Sequence, residues 1–148
     1  TRAVGGHSLH VGPRGSRTND GAATHGPGER QVGGGARIEA EAALRNGVPI
    51  AMGTDIGGQD LLPHGRNAAE LALLVRFGMS PTDALVAGTS GAARCLGLDA
   101  ERGSLEDGKV ADIIAVPGDP VQDISVMERV AFVMQNGQVV KSSPGIAA

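Results

Sequence analysis

The stretch Gly47-Val48-Pro49-Ile50-Ala51-Met52-Gly53-Thr54-Asp55 decides how this chain folds. Val48 to Met52 is apolar without alternation. A strand with no polar face is buried on both sides, the habit of parallel sheets covered by helices. Pro49 has no N–H to give to a ladder, so it belongs at the strand's start. Thr54 and Asp55 follow at the C-terminal end, where α/β folds gather their chemistry.

Upstream, residues 36–46 place Ala36, Ala40, Ala43 and Leu44 at helical spacing, and Gly47 stands where a left-handed glycine ends a helix. Downstream, residues 57–66 read as a loop. Asn67 is expected to cap the next helix, with Glu70 completing a capping-box-like pair. Leu71, Leu74 and Val75 form that helix's apolar stripe, and Gly78 stops it. Ser80-Pro81-Thr82-Asp83 is a second helix start, with Ser as cap, Pro in the first turn and Asp near the positive end of the dipole. That helix is expected to reach Ala87. Thr89 or Ser90 caps a third, ending near Leu98, with Cys95 expected in its core. Past Asp99 the period changes: 104–105, 110–116 and 130–134 read as short strands, and Asn136-Gly137 signals a hairpin with a type I′ turn. Asp119-Pro120 reads as a turn, Glu101, Glu106 and Asp107 as solvated surface, and 142–148 as a frayed tail. The fold class is therefore α/β, followed by a small antiparallel β unit.

Length and composition bound the function. At 148 residues the chain is too short for a complete (β/α)8 barrel of about 250 residues. Two Phe are the only aromatics and the net charge is −3, which argues against base stacking and phosphate binding, so no nucleic-acid partner is expected. No apolar run spans a membrane and no signal peptide is recognised. The lone Cys95 agrees with a reducing, cytoplasmic setting. Residues 1–35 hold ten of the 24 glycines and three of the four histidines. They carry few large apolar residues and are expected to be disordered.

Two segments carry a family resemblance. MGTDIGG (52–58), followed by PHGRNAAELALLVRFGMSPTDALVAGTSGAARCLGL (63–98), resembles the end of the barrel in the metal-dependent amidohydrolase superfamily. GSLEDGKVADIIAVPGDP (103–120), followed by VMQNGQVVK (133–141), resembles the small β-sandwich domain that follows it. The wording is most similar to the prolidase-like (Xaa-Pro dipeptidase) and imidazolonepropionase-like subgroup, over about residues 36–141. The resemblance implies the C-terminal fragment of a (β/α)8 hydrolase barrel at 36–99 and a β-sandwich-type unit at 100–141. It also implies a divalent metal, zinc by family habit.

The resemblance places Asp55 at the family's carboxylate after the eighth strand, which binds metal and takes a proton from the water the metal activates. By residue type alone, a Thr-Asp before two glycines equally fits an Asx turn or a helix cap. The loop after this strand lines the family's substrate pocket, so His64, Arg66, Gly57 and Gly58 become candidate substrate contacts. His64 fits an exposed loop histidine equally well. Arg66 can pair with a substrate carboxylate or stay solvated, and the glycines suit a plain turn. Lys109 and Asp112, in Gly-Lys-x-Ala-Asp, match a structural turn.

Much of the family's site has no counterpart. The His-x-His pair, the bridging Lys or Glu and the two later His are missing, and Lys occurs only at 109 and 141. His7 and His10 have two residues between them, where the family's pair has one. Gly5-Gly6-His7 is similar to a mid-barrel segment that is not a ligand segment. His7, His10 and His25 allow loose metal binding or none. Two functions are thus expected. One is a hydrolase of amide, cyclic amide or Xaa-Pro dipeptide bonds, incomplete and inactive as this chain alone. The alternative is a non-enzymatic remnant or partner-binding subunit. The implied partners are a small-molecule amide or dipeptide, together with a second copy or a complementary chain that supplies the missing ligands.

Overall fold

The computed structural model describes residues 2–4, 34–54 and 65–144, with backbone alone at 2–4 and 34–37. The described elements are β1 (Arg2–Val4), α1 (Gly34–Arg45), β2 (Ile50–Met52), α2 (Ala69–Arg76), α3 (Pro81–Gly88), α4 (Ser90–Leu96), β3 (Ile113–Ala115), a 3₁₀ turn (Ile124–Glu128), β4 (Phe132–Gln135) and β5 (Gln138–Ser142). The fold is mixed α/β.

Three helices end in one way. At α1, the Val48 N–H donates to the Ala43 carbonyl and the Gly47 N–H to that of Leu44, with Gly47 at φ 63°. This reciprocal closure satisfies carbonyls left over at the last turn, and its left-handed residue favours glycine. Phe77-Gly78-Met79 repeats the pattern after α2, and Gly97-Leu98 after α4. The start of α3 is capped as its sequence predicts: the Asp83 N–H donates to Ser80 Oγ at 3.1 Å, and Pro81 stands in the first turn.

β1 and β2 pair in parallel, Arg2 with Ile50 and Val4 with Met52. Ile50 and Ala51, which point to opposite faces, are both buried. Helices α3 and α4 pack on β2, while α2 packs on α3 and on the 3₁₀ turn. The core joins Ala40, Ile50, Leu71, Leu74, Met79, Ala84, Ala87 and Met127. Its alanines let the backbones approach closely. Leu74, 1% exposed, is its most completely sealed large side chain, worth about 2 kcal/mol of transfer free energy. Met127 comes from the C-terminal unit, so that unit shares the helical core.

The second sheet is antiparallel, in the order β3-β4-β5. Asn136 and Gly137 take φ 50° and 76°, the signs a type I′ turn needs. Asp112 anchors the hairpin: its Oδ1 accepts the Asn136 N–H at 2.8 Å and its Oδ2 accepts Arg102 Nη1 at 2.8 Å.

Several expectations need correction. No strand forms at 104–105, where Ser104 instead accepts from Lys109 Nζ at 2.6 Å. The third strand contracts to Ile113–Ala115. The 3₁₀ turn was not anticipated. It follows Asp123, whose Oδ1 accepts the Ser125 N–H at 3.0 Å, and it buries Val126 and Met127. Cys95 is exposed rather than core, because α4 turns Ala93 inward instead. The β unit is a single three-stranded sheet among the described residues, not a sandwich. Within 1–35, Arg2–Val4 form a strand, since β2 offers them a parallel ladder, and α1 begins at Gly34.

Candidate functional site

β2 delivers the chain to Gly53 and Thr54, and Asp55 is the next residue. Asp55, Gly57, Gly58 and His64 lie outside the described residues, as do His7, His10 and His25. What the structure supplies is the frame around them: the exit of β2 on one side and the chain's return at Gly65 on the other.

That frame is built by the first turn of α2, and not in the way a capping box would build it. The residue capping α2 is Ala68, with no side-chain hydrogen bond. Asn67 reaches across instead, its Nδ2 lying 3.5 Å from Thr54 Oγ1. Glu70 also turns inward. It is 8% exposed, and its carboxylate lies beside the Gly53 backbone N–H. Its Oε1 has no hydrogen-bond partner among the described residues. Burial pushes the Glu70 carboxyl up to about 7, against the opposing pull of the Gly53 N–H. Asn67 and Glu70, read in the sequence as a local cap, thus both reach the two residues that precede Asp55. The signal was in the pattern, since Glu70 lies one residue from Leu71 and four from Leu74 on the buried side of an amphipathic helix.

Arg66 is exposed and its Nη2 stands 3.4 Å from Glu128 Oε2. The pair bridges the loop's return to the 3₁₀ turn. Beside it lies a cleft of about 310 Å³, lined by Gly65, Asn67, Ala68, Met127, Glu128, Arg129, Val130 and Lys141. Lys141 Nζ donates to the Val130 carbonyl at 2.6 Å. A second hollow, about 400 Å³ and mainly apolar, lies between α4 and β3 and shares no lining residue with this cleft.

Among the described residues no group of three His, Cys, Asp or Glu could hold a metal ion. The described part of the chain therefore does not fit a metal by itself. No described helix is long and apolar enough to cross a membrane.

The sequence profile of the Amidohydrolase family matches residues 2–140. The match starts well before residue 36, so the likeness also takes in β1. Ochratoxinase of Aspergillus niger is 38% identical over 111 residues, 72% of this chain and 22% of that protein. Imidazolonepropionase of Pseudomonas savastanoi pv. phaseolicola is 41% identical over 80 residues, 51% of this chain and 19% of that protein. The crystal structure of a Xaa-Pro dipeptidase with methionine bound in its active site superposes with a TM-score of 0.67 at 38% identity, covering 72% of this chain and 26% of the other. The chain thus spans about a quarter or less of the length of these relatives.

Proposed function

The chain belongs to the amidohydrolase family, and from that premise we propose that it contributes the last strand, helices and β unit of a (β/α)8 hydrolase that cleaves carbon–nitrogen bonds. The substrate class is an amide, a cyclic amide or an Xaa-Pro dipeptide. The observation that carries this reading is the buried parallel strand Ile50–Met52, since the sequence runs on from it through Gly53-Thr54 to Asp55 and α/β folds gather their chemistry at such strand ends.

In this reading Asp55 would be one ligand of a divalent metal and would accept a proton from water held there; the metal, zinc by family habit, would supply a lowered pKa for that water. Its other ligands come from outside this chain, because a lone carboxylate selects and holds no ion. Gly57 and Gly58 let the loop backbone approach the substrate, and His64 and Arg66 contact it. Arg66 exchanges Glu128 for a substrate carboxylate, a modest change for an exposed pair.

The test is a chimera in which residues 36–141 replace the matching C-terminal part of the Xaa-Pro dipeptidase. The chimera is expected to hydrolyse an Xaa-Pro dipeptide only with metal present, and Asp55→Asn to lower kcat/KM by about a thousandfold or more. The isolated chain is expected to show no metal-dependent turnover. Stoichiometric zinc on the isolated chain, with hydrolysis abolished by Asp55→Asn, would overturn the need for outside ligands. A chimera that is folded, metal-loaded and indifferent to Asp55→Asn would overturn the role of Asp55.

A further inference from the structure

We propose that Asn67 and Glu70 are positioning residues: from the start of α2 they hold the Gly53-Thr54 backbone at the exit of β2, and so set the direction in which Asp55 leaves the strand. The proposal rests on the reading of Asp55 as the family's carboxylate, and it adds two residues to which that reading gives no role.

Three observations carry it. The first is that both side chains of the Asn-x-x-Glu pattern bypass the cap of their own helix, which is left to Ala68 with no side-chain bond. Local capping is the easily reached alternative for these residue types, so its absence has to be offset elsewhere. The second is where they go: Asn67 Nδ2 to 3.5 Å from the Thr54 hydroxyl, and Glu70 to a place beside the Gly53 N–H, two adjacent residues. The third is the burial of a carboxyl with one oxygen unpartnered among the described residues. An apolar residue there would serve the packing of Leu71 and Leu74 better, because a buried polar atom without a partner lowers stability. A buried carboxyl that carries this cost and lies beside Gly53, two residues before Asp55, acts on the exit of the strand.

The experiment follows amide hydrogen exchange by NMR in the 148-residue chain. The Gly53 and Thr54 amides report the strand exit, and the Leu74 amide reports the core. Glu70→Leu is expected to speed Gly53 exchange about tenfold or more relative to Leu74, while Glu70→Gln, which keeps the acceptor, stays within about threefold of the parent. Asn67→Ala is expected to speed Thr54 exchange with Leu74 unchanged. A residue that serves packing alone would move all three amides together, and that result would overturn the proposal. So would Glu70→Leu leaving Gly53 unchanged. If Glu70→Leu does not fold, the exposed Asn67→Ala variant decides: unchanged exchange at Gly53 and Thr54 rejects the pair. Asp55→Asn is expected to leave these amides as they are, so loss of the Asp55 reading in the chimera and loss of this proposal are separate results.

Discussion

Two helix starts in this chain are written in nearly the same letters and do opposite things. Ser80-x-x-Asp83 closes on itself: Ser80 Oγ accepts the Asp83 N–H and donates to Asp83 Oδ2 at 2.6 Å, all in solvent. Asn67-x-x-Glu70 opens outward to Thr54 and Gly53 and leaves its helix uncapped by any side chain. What differs is the surrounding. The α3 start projects into water, where the nearest partner is its own backbone. The α2 start packs against α3 and the 3₁₀ turn, where Glu70 is buried and lies beside the N–H at the strand exit. A capping pattern at a helix start therefore need not close on the backbone of its own helix.

That contrast can be broken by experiment, first at Glu70. Its folded pKa of about 7 lies above the ordinary value of 4.5. The folded chain thus holds this proton more tightly than the unfolded one. The associated stability is complete below pH 4.5 and is lost as pH rises through 7. Glu70→Gln should flatten that slope and be more stable than the parent at pH 8 by about 2 kcal/mol, read from urea melts across pH 4.5–8. A parent slope of the opposite sign would mean that Glu70 is ionised comfortably in the folded chain. Next in size, Ser80→Ala should cost about 1 kcal/mol, with no pH dependence between 6 and 8. A cost near zero would make the two helix starts alike after all. The smallest effect belongs to Arg66, where Arg66→Ala should change stability by less than about 0.5 kcal/mol and by nothing measurable in 1 M salt. A larger loss would show that the loop's return is held by its ion pair rather than by the α2 residues beside it.

The antiparallel hairpin, the capped start of α3 and the glycine endings of α1, α2 and α4 were legible because each is closed by residues within five positions of one another. The buried character of β2 was legible for a similar reason, since an apolar run records its own environment. The strand at Arg2–Val4 was not, because its ladder lies 48 residues away at Ile50–Met52 and its own stretch reads as glycine-rich. The 3₁₀ turn and the exposure of Cys95 were likewise settled by which side of a short element meets α2 or water. Of the candidate site, Asp55 was singled out by motif alone, Arg66 by its loop, and Glu70 only as half of a cap.

By itself the sequence determined the family and the α/β order, and its motif singled out Asp55 as the candidate site residue. These follow from residue types at fixed spacing, and spacing survives without coordinates. Only the tertiary structure decided what Asn67 and Glu70 bind, which carboxylate is driven toward neutrality, and that the C-terminal unit shares a core with the helices through Met127. Such outcomes depend on desolvation and on partners far along the chain, and neither is encoded in any local run of residues.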